Sequence, residues 1–199
     1  MTDLALVCGG GGALGGAIVA ALRARGDEVI AADREDVDLT DADAVEAYWE
    51  RLPAAPRWVV NAAGGFRQGT LAESDPEDVR FMTALNLETA WWSCRAAARR
   101  LPEGGAIVNV AARAGLAGGA GSAAYSVAKA AVIRMTQVLA LELAERGIRA
   151  NVVVPALIAT PANRAQGITG GTEPAEIAST IAFLLSDAAS AVTGAVVPV

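Results

Sequence analysis

The 199-residue chain contains no histidine, and of its 16 basic residues only Lys129 is a lysine. Without histidine, neither a Ser-His-Asp hydrolase, nor a Cys-His protease, nor a histidine-ligated metal site can be assembled, and no metal is expected. Proton chemistry falls to Tyr, Lys, Asp, Glu or Cys. Cysteine is scarce. Cys8 and Cys94 alone give no disulfide framework, so a reducing cytoplasm is the expected setting. Long apolar runs are also missing. The 53% hydrophobic fraction is swollen by 46 alanines, and Gly, Pro or charge interrupts every stretch of membrane-spanning length. With Asp3 and the glycines Gly9 to Gly12 where an apolar stretch would be needed, no signal peptide is expected. There is no basic cluster, and the net charge of −6 argues against nucleic acid or an acidic membrane as partner.

What is present is an alternation of apolar runs and helical patterns. Strands are expected at Leu4 to Cys8, Glu28 to Ala32, Val37 to Leu39 (very short), Trp58 to Val60, Gly105 to Val110, Ile148 to Val154 and Gly194 to Val199. Helices are expected at Ala13 to Arg25, stopped by Gly26, and from an Asp41 N-cap through Leu52. The stretch Asp75-Pro76-Glu77-Asp78 starts another, reaching about Arg100. The last two are expected at Ser122 to Arg146, ending at Gly147, and Glu173 to Ser186. Strands separated by helices predict an α/β fold: a single doubly wound domain of Rossmann type with a mostly parallel sheet. No repeat or long linker divides the chain.

Between the first strand and first helix lies Cys-Gly-Gly-Gly-Gly-Ala-Leu-Gly-Gly, in which Gly9, Gly12 and Gly15 have G-x-x-G-x-x-G spacing. Glycines there permit a tight turn, close approach to a pyrophosphate and tight helix–strand packing, while the helix N-terminus offers free N–H groups. Ala13 and Leu14 belong to the same turn. Asp33 ends the second strand, where a carboxylate can hold the adenosine ribose hydroxyls. A dinucleotide site follows. Asp33 would repel a 2′-phosphate and favours NAD(H); Arg34 keeps NADP(H) open.

Of the two tyrosines, Tyr125 stands four residues before the only lysine. On a helix that spacing places Tyr125 and Lys129 on one face. An ammonium beside a phenol stabilises phenolate, so Lys129 is expected to lower the Tyr125 pKa. Such a tyrosine can give or take a proton while hydride moves. Arginine, with its planar fork, is a poor substitute at this position.

Together these residues resemble the short-chain dehydrogenase/reductase family along nearly the whole chain. Besides the glycine turn and Tyr125-x-x-x-Lys129, the resemblance rests on Asp33, Asp38-Leu39, Asn61-Ala62-Ala63-Gly64, Asn86 and Ile107-Val108-Asn109-Val110. Pro155, Thr160 and the stretch Ile181 to Gly194 extend it. It implies an NAD(P)H-dependent oxidoreductase with Tyr125, Lys129 and Asn86 as catalytic residues, Asn86 anchoring a water in a proton relay. It implies cofactor contacts from Asp38 and Leu39 beside adenine, from Asn61, Ala62, Ala63, Gly64 and Val110, and from Pro155, Ile158 and Thr160 near the nicotinamide. It also implies a homodimer or homotetramer; Trp91-Trp92 serve packing or subunit contacts, and Cys94 is a small buried residue.

The departures bear on the substrate. Thirteen residues before the tyrosine the family usually carries a serine; here stands Ala112. The middle glycine of the family turn falls at Ala13, and the helix between the second and third strands is missing. Ala112, Ala63-Gly64-Gly65 and Thr160-Pro161-Ala162-Asn163-Arg164 look like the dihydropteridine reductase branch, which reduces a quinonoid ring with NADH. Asn86 and the C-terminal stretch look instead like ordinary bacterial members. Ala112, Arg113 and Phe66 are candidate small-molecule substrate contacts, and Arg67 and Gln68 can edge the same pocket. Three functions stay open: reduction of a pterin-like or quinone-like ring, ordinary alcohol or ketone chemistry with an atypical alanine, and cofactor binding without turnover.

Overall fold

The computed structural model describes residues 2–199. Six strands form one sheet: β1 Leu4–Cys8, β2 Glu28–Ala32, β3 Trp58–Asn61, β4 Ala106–Val110, β5 Arg149–Val154 and β6 Val196–Pro198. Their order is β2-β1-β3-β4-β5-β6, and every neighbouring pair is parallel. The expectation of a mostly parallel sheet thus sharpens to an entirely parallel one.

The helices are α1 Ala13–Arg25, α2 Ala42–Glu50, α3 Pro76–Thr83, α4 Thr89–Arg100, α5 Ala114–Ala117, α6 Ala123–Glu142, α7 Pro161–Ala165 and α8 Pro174–Leu185. Parallel strands need crossover helices, and these cover both faces. Successive side chains of β1 show the division. Ala5 and Val7 pack towards α1 and α8, whereas Leu6 and Cys8 pack towards α2, α4 and α6. Both faces are buried, which is why the strands read as unbroken apolar runs.

Three expectations change. First, Val37 to Leu39 is not a strand: Asp36 and Val37 donate backbone N–H bonds to the Asp33 carbonyl, so the chain turns away after β2. Val37 and Leu39 bury their side chains against Val45 and Trp49 instead of pairing, and β2 is left as a sheet edge. Secondly, the helix expected from Asp75 to about Arg100 is interrupted by a π-helical turn, Ala84–Glu88, between α3 and α4. Thirdly, the long helix ends at Glu142; a 3₁₀ turn, Ala144–Arg146, completes the run to Gly147, whose φ of 63° suits glycine. Strand and helix limits elsewhere move by only one or two residues.

β1 and β3 are neighbours, but their connections leave on opposite faces of the sheet. This is the switch point at which such sheets open a crevice beyond the strand carboxyl ends.

Candidate active site

The glycine turn sits at that crevice. Gly9 has a φ of 83°, and a Cβ there would lie 2.6 Å from the Ala63 nitrogen. A Cβ on Gly15 would sit on top of the Gly9 carbonyl oxygen, so this glycine lets α1 close onto the turn. Gly12 differs: its only neighbour is the Gly9 oxygen at 3.5 Å. The space beside Gly12 belongs to whatever enters the groove. Gly12 is also the N-cap of α1 and provides no side-chain acceptor, and the first turn carries no acid. The free amides of Ala13, Leu14 and Gly15 therefore face the groove uncapped.

Two connected hollows run from this turn. One, of 410 Å³, is lined by Gly9, Gly12, Asp33, Arg34, Val37, Asp38, Leu39, Thr40, Ala62, Ala63 and Gly64 and by Leu85 and Thr89. The other, of 270 Å³, passes Ala13, Leu14, Gly15, Asn86, Val110, Tyr125, Lys129, Ile158 and Thr160. Asp33 accepts the Gly11 N–H, which pins its carboxylate at the groove wall. The Thr40 hydroxyl and amide hold the Asp38 carboxyl below the usual carboxylate range. An elongated groove with uncapped helix amides and a ribose-height acid fits a nicotinamide dinucleotide.

Asn61 does not face this groove. Its side-chain amide donates to Asn109 Oδ1 at 2.8 Å and lies 3.3 Å from Cys94 Sγ; Asn109 in turn donates to Thr136 at 2.8 Å. The expected cofactor contact is thus a buried cross-strand tie between β3 and β4, because the pleat turns Asn61 towards α4. Burial pushes the Cys94 thiol up to about 12 and the Cys8 thiol to about 11, leaving both as inert packing groups.

Tyr125 and Lys129 lie on one face of α6. The Lys129 ammonium is 5.9 Å from the phenol ring centroid and donates to the Val110 carbonyl at 3.1 Å. Lys129 is only 5% exposed, and burial pulls its pKa down to about 8. For Tyr125 the outcome reverses the expectation: burial raises its pKa, and no lowering by the ammonium offsets it. Asn86, on the π turn, accepts the Gly65 N–H at 3.1 Å and donates to the Met82 carbonyl at 3.2 Å. A Cβ on Gly64 would lie 2.8 Å from Asn86 Oδ1 and 3.1 Å from Lys129 Nζ. Gly64 therefore keeps open the gap between them.

A third hollow, of 530 Å³, opens beside Tyr125 and holds Phe66, Gln68, Ala111, Ala112, Ser122, Pro155, Leu157, Ile158, Thr160, Asn163 and Ile168. Among the described residues no charged side chain lines it. The Phe66 ring stands edge-on to Tyr125, at 5.2 Å and 89°. Ala112 and Phe66 are where the sequence placed them, but Arg113 is not. Arg113 is exposed and outside the lining, and only its backbone is engaged: its N–H donates to the Pro155 carbonyl and its carbonyl accepts from Leu116 and Ala117. Sequence reasoning missed Ser122, Asn163, Leu157 and Ile168 here, and Leu85 and Thr89 in the groove. Ser122 carried a signal, one helical turn before Tyr125. The loop residues carried none.

Among the described residues no three His, Cys, Asp or Glu side chains gather into a metal site, and no helix is long and apolar enough to cross a membrane.

Comparison with known proteins agrees with this architecture. A family model described as Enoyl-(Acyl carrier protein) reductase matches residues 20–199. The chain is 33% identical to carbonyl reductase family member 4 of Danio rerio, covering 93% of this chain and 92% of that protein. It is 32% identical to the 3-oxoacyl-[acyl-carrier-protein] reductase FabG of Salmonella typhimurium, covering 96% and 93%. A crystal structure of a short chain dehydrogenase/reductase family oxidoreductase from Burkholderia thailandensis superposes with a TM-score of 0.88 at 30% identity, over 100% of this chain and 91% of the other. A short chain dehydrogenase family protein from Francisella tularensis shares the fold, with a TM-score of 0.89 at 24% identity. The chain belongs to the short-chain dehydrogenase/reductase family of NAD(P)-dependent oxidoreductases.

Proposed function

We propose that this chain is an NAD(H)-preferring reductase of small, uncharged, conjugated ring substrates, such as quinonoid dihydropterins or quinones, with Tyr125 as proton donor. One observation carries the reading. The hollow beside Tyr125 has an alanine where the family usually has a hydroxyl, no charged lining, and an aromatic edge from Phe66. A ketone that gains negative charge on oxygen needs a second donor there. A ring that spreads the incoming electron pair over several atoms needs it less.

Bound nicotinamide dinucleotide supplies the hydride. The remaining work falls to the chain. The α1 amides and Gly12 hold the pyrophosphate, and Asp33 holds the ribose. Asp33 rather than Arg34 would set the preference, because the Gly11 amide holds its carboxylate at the groove wall, where it would accept ribose hydroxyls and repel a 2′-phosphate. Tyr125, kept protonated by burial, gives its proton to the substrate. Lys129 holds ribose hydroxyls, and Asn86 carries the relay that reprotonates the tyrosine. Ala62, Ala63, Val110, Pro155, Ile158 and Thr160 wall the nicotinamide.

A second reading, ordinary carbonyl reduction, is favoured by the names of the relatives. One assay separates the two: NADH and NADPH oxidation against quinonoid dihydropterin, quinones and simple ketones, with wild type and Ala112→Ser. The ring reading expects turnover of a ring compound and little gain from serine. Ketone turnover that rises by orders of magnitude in Ala112→Ser decides for the carbonyl reading. Tyr125→Phe is expected to lower kcat by about 10²- to 10⁴-fold, while NADH still binds in a fluorescence titration. Retained turnover in that variant removes the tyrosine mechanism.

We also propose that two copies pair across α4 and α6. A 610 Å³ groove lies there, lined by Trp91, Met135 and Val138 among others.

A further inference from the structure

Five polar side chains line the hollow beside Tyr125: Gln68, Ser122, Tyr125 itself, Thr160 and Asn163. Three are already engaged. Ser122 donates to the Gly119 carbonyl and meets the Ser126 hydroxyl, both at 2.8 Å. Thr160 caps α7 by accepting the Asn163 N–H at 3.2 Å, and the Asn163 amide donates to the Ile158 carbonyl at 2.8 Å. Among the described residues Gln68 makes no side-chain hydrogen bond, so both ends of its carboxamide are free.

The Gln68 side chain is exposed at the rim of the hollow, but the backbone beside it is held. Gly69 donates its N–H to the Gly121 carbonyl at 2.9 Å and accepts the Ala123 N–H at 3.1 Å. This two-bond clamp fastens residue 69 to the start of α6, two residues before Tyr125. Along the segment entering the clamp, residues 66 and 68 turn to one side and residue 67 to the other. Phe66 and Gln68 line the hollow, while Arg67 between them pairs with Asp78 and covers the Phe81 ring. Gly121 leaves a bed for the carboxamide: a Cβ there would meet Gln68 Nε2 at 3.6 Å and Cγ at 3.8 Å.

We propose that Gln68 is the specificity-determining residue of this pocket and that it selects rings bearing a lactam edge, –CO–NH–. A carboxamide presents one donor and one acceptor side by side, the complement of a lactam. A simple quinone offers acceptors only and can use half of that pair. This assignment rests on the ring-reductase reading above and narrows it to flat, uncharged heterocycles with an N–H next to a carbonyl.

The test compares wild type with Gln68→Leu on quinonoid dihydropterin and on 1,4-naphthoquinone, with melting temperature as the folding control. Gln68→Leu is expected to lower the ratio of the two kcat/KM values by about ten- to thirty-fold, through KM for the pterin, with unchanged melting. An unchanged ratio overturns the proposal while leaving ring reduction intact. If wild type reduces neither ring, the ring-reductase reading fails on its own. Fluorescence titration of oxidised pterin into the NAD(H)-saturated protein then judges Gln68 separately. Binding that weakens tenfold or more in Gln68→Leu retains the proposal; equal binding, or none in either protein, rejects it.

Discussion

Lys129 is an ammonium held out of water with one recorded protein partner, the Val110 carbonyl. Keeping it charged there opposes folding, and its pKa falls from 10.5 to about 8. Below pH 8 the folded and unfolded chains both carry the proton. Between pH 8 and 10.5 the unfolded chain still carries it and the folded chain has released it. The unfolded state then binds more protons, so stability rises with pH across that window, by about 3 kcal/mol at most. Denaturation midpoints of cofactor-free wild type and Lys129→Met, measured from pH 7 to 10, are expected to differ in slope: wild type gains on the variant above pH 8. Parallel curves mean that the ammonium is better solvated than its burial implies. Tyr125 and Lys129 were legible in the sequence because the chemistry demands those residue types at one helical spacing. Asn61 and Arg113 were not, since where a side chain points at or just past a strand end depends on the register of neighbours, here Asn61, the last residue of β3, opposite Asn109.

At the scale of elements, helix ends explain part of the chain's preference for arginine. The Arg149 guanidinium reaches the carbonyls of Leu184 at 2.5 Å, Leu185 at 3.0 Å and Ser186 at 3.1 Å, closing the C-terminus of α8. Arg146 does the same at the end of α4, through the Ala98 and Leu101 carbonyls. A planar fork spreads five donors over three nitrogens and so spans several carbonyls, whereas a lysine offers three donors from a single nitrogen. A charged hydrogen bond contributes about 1.5–3 kcal/mol, and bonds that share one guanidinium do not add. Arg149→Met is therefore expected to lower the melting temperature by roughly 5–10 °C, and Arg149→Lys to recover only part of it. A melting temperature within 1 °C of wild type in Arg149→Met would count against the cap (roughly the scatter of surface substitutions). Most elements were readable from apolar periodicity and caps, as at Asp41 and Asp75, whose carboxylates do accept first-turn amides. The π turn was not, because one extra residue barely shifts the apolar stripe, although it is what carries Asn86. Val37 to Leu39 read as a strand because alternate residues are buried; the same alternation serves a groove wall.

At the scale of the molecule, the order of the sheet accounts for the site. β1 and β3 lie side by side, so the glycine turn after one and the Ala62–Gly64 segment after the other flank a single crevice. The outer face of α4 and α6 has another use. Trp91 and Val138 stand 48% and 45% exposed beside the groove there. Light scattering on a sizing column is expected to give at least twice the chain mass for wild type and a lower mass for Val138→Arg. A wild-type mass of one chain rules out pairing across this face. The strand-and-helix alternation was enough to foresee a doubly wound sheet, whereas the loss of a strand beyond β2 was hidden by a turn that lasts only three residues.

The sole lysine also makes the protein unusual as a chemical target. Its one side-chain amine faces the cofactor groove at only 5% exposure, so the outer surface offers acylating reagents no lysine. Acylation of Lys129 then reports whether the groove is filled, with bound cofactor expected to slow it, and a lysine-directed protease has a single bond to cut, inside α6.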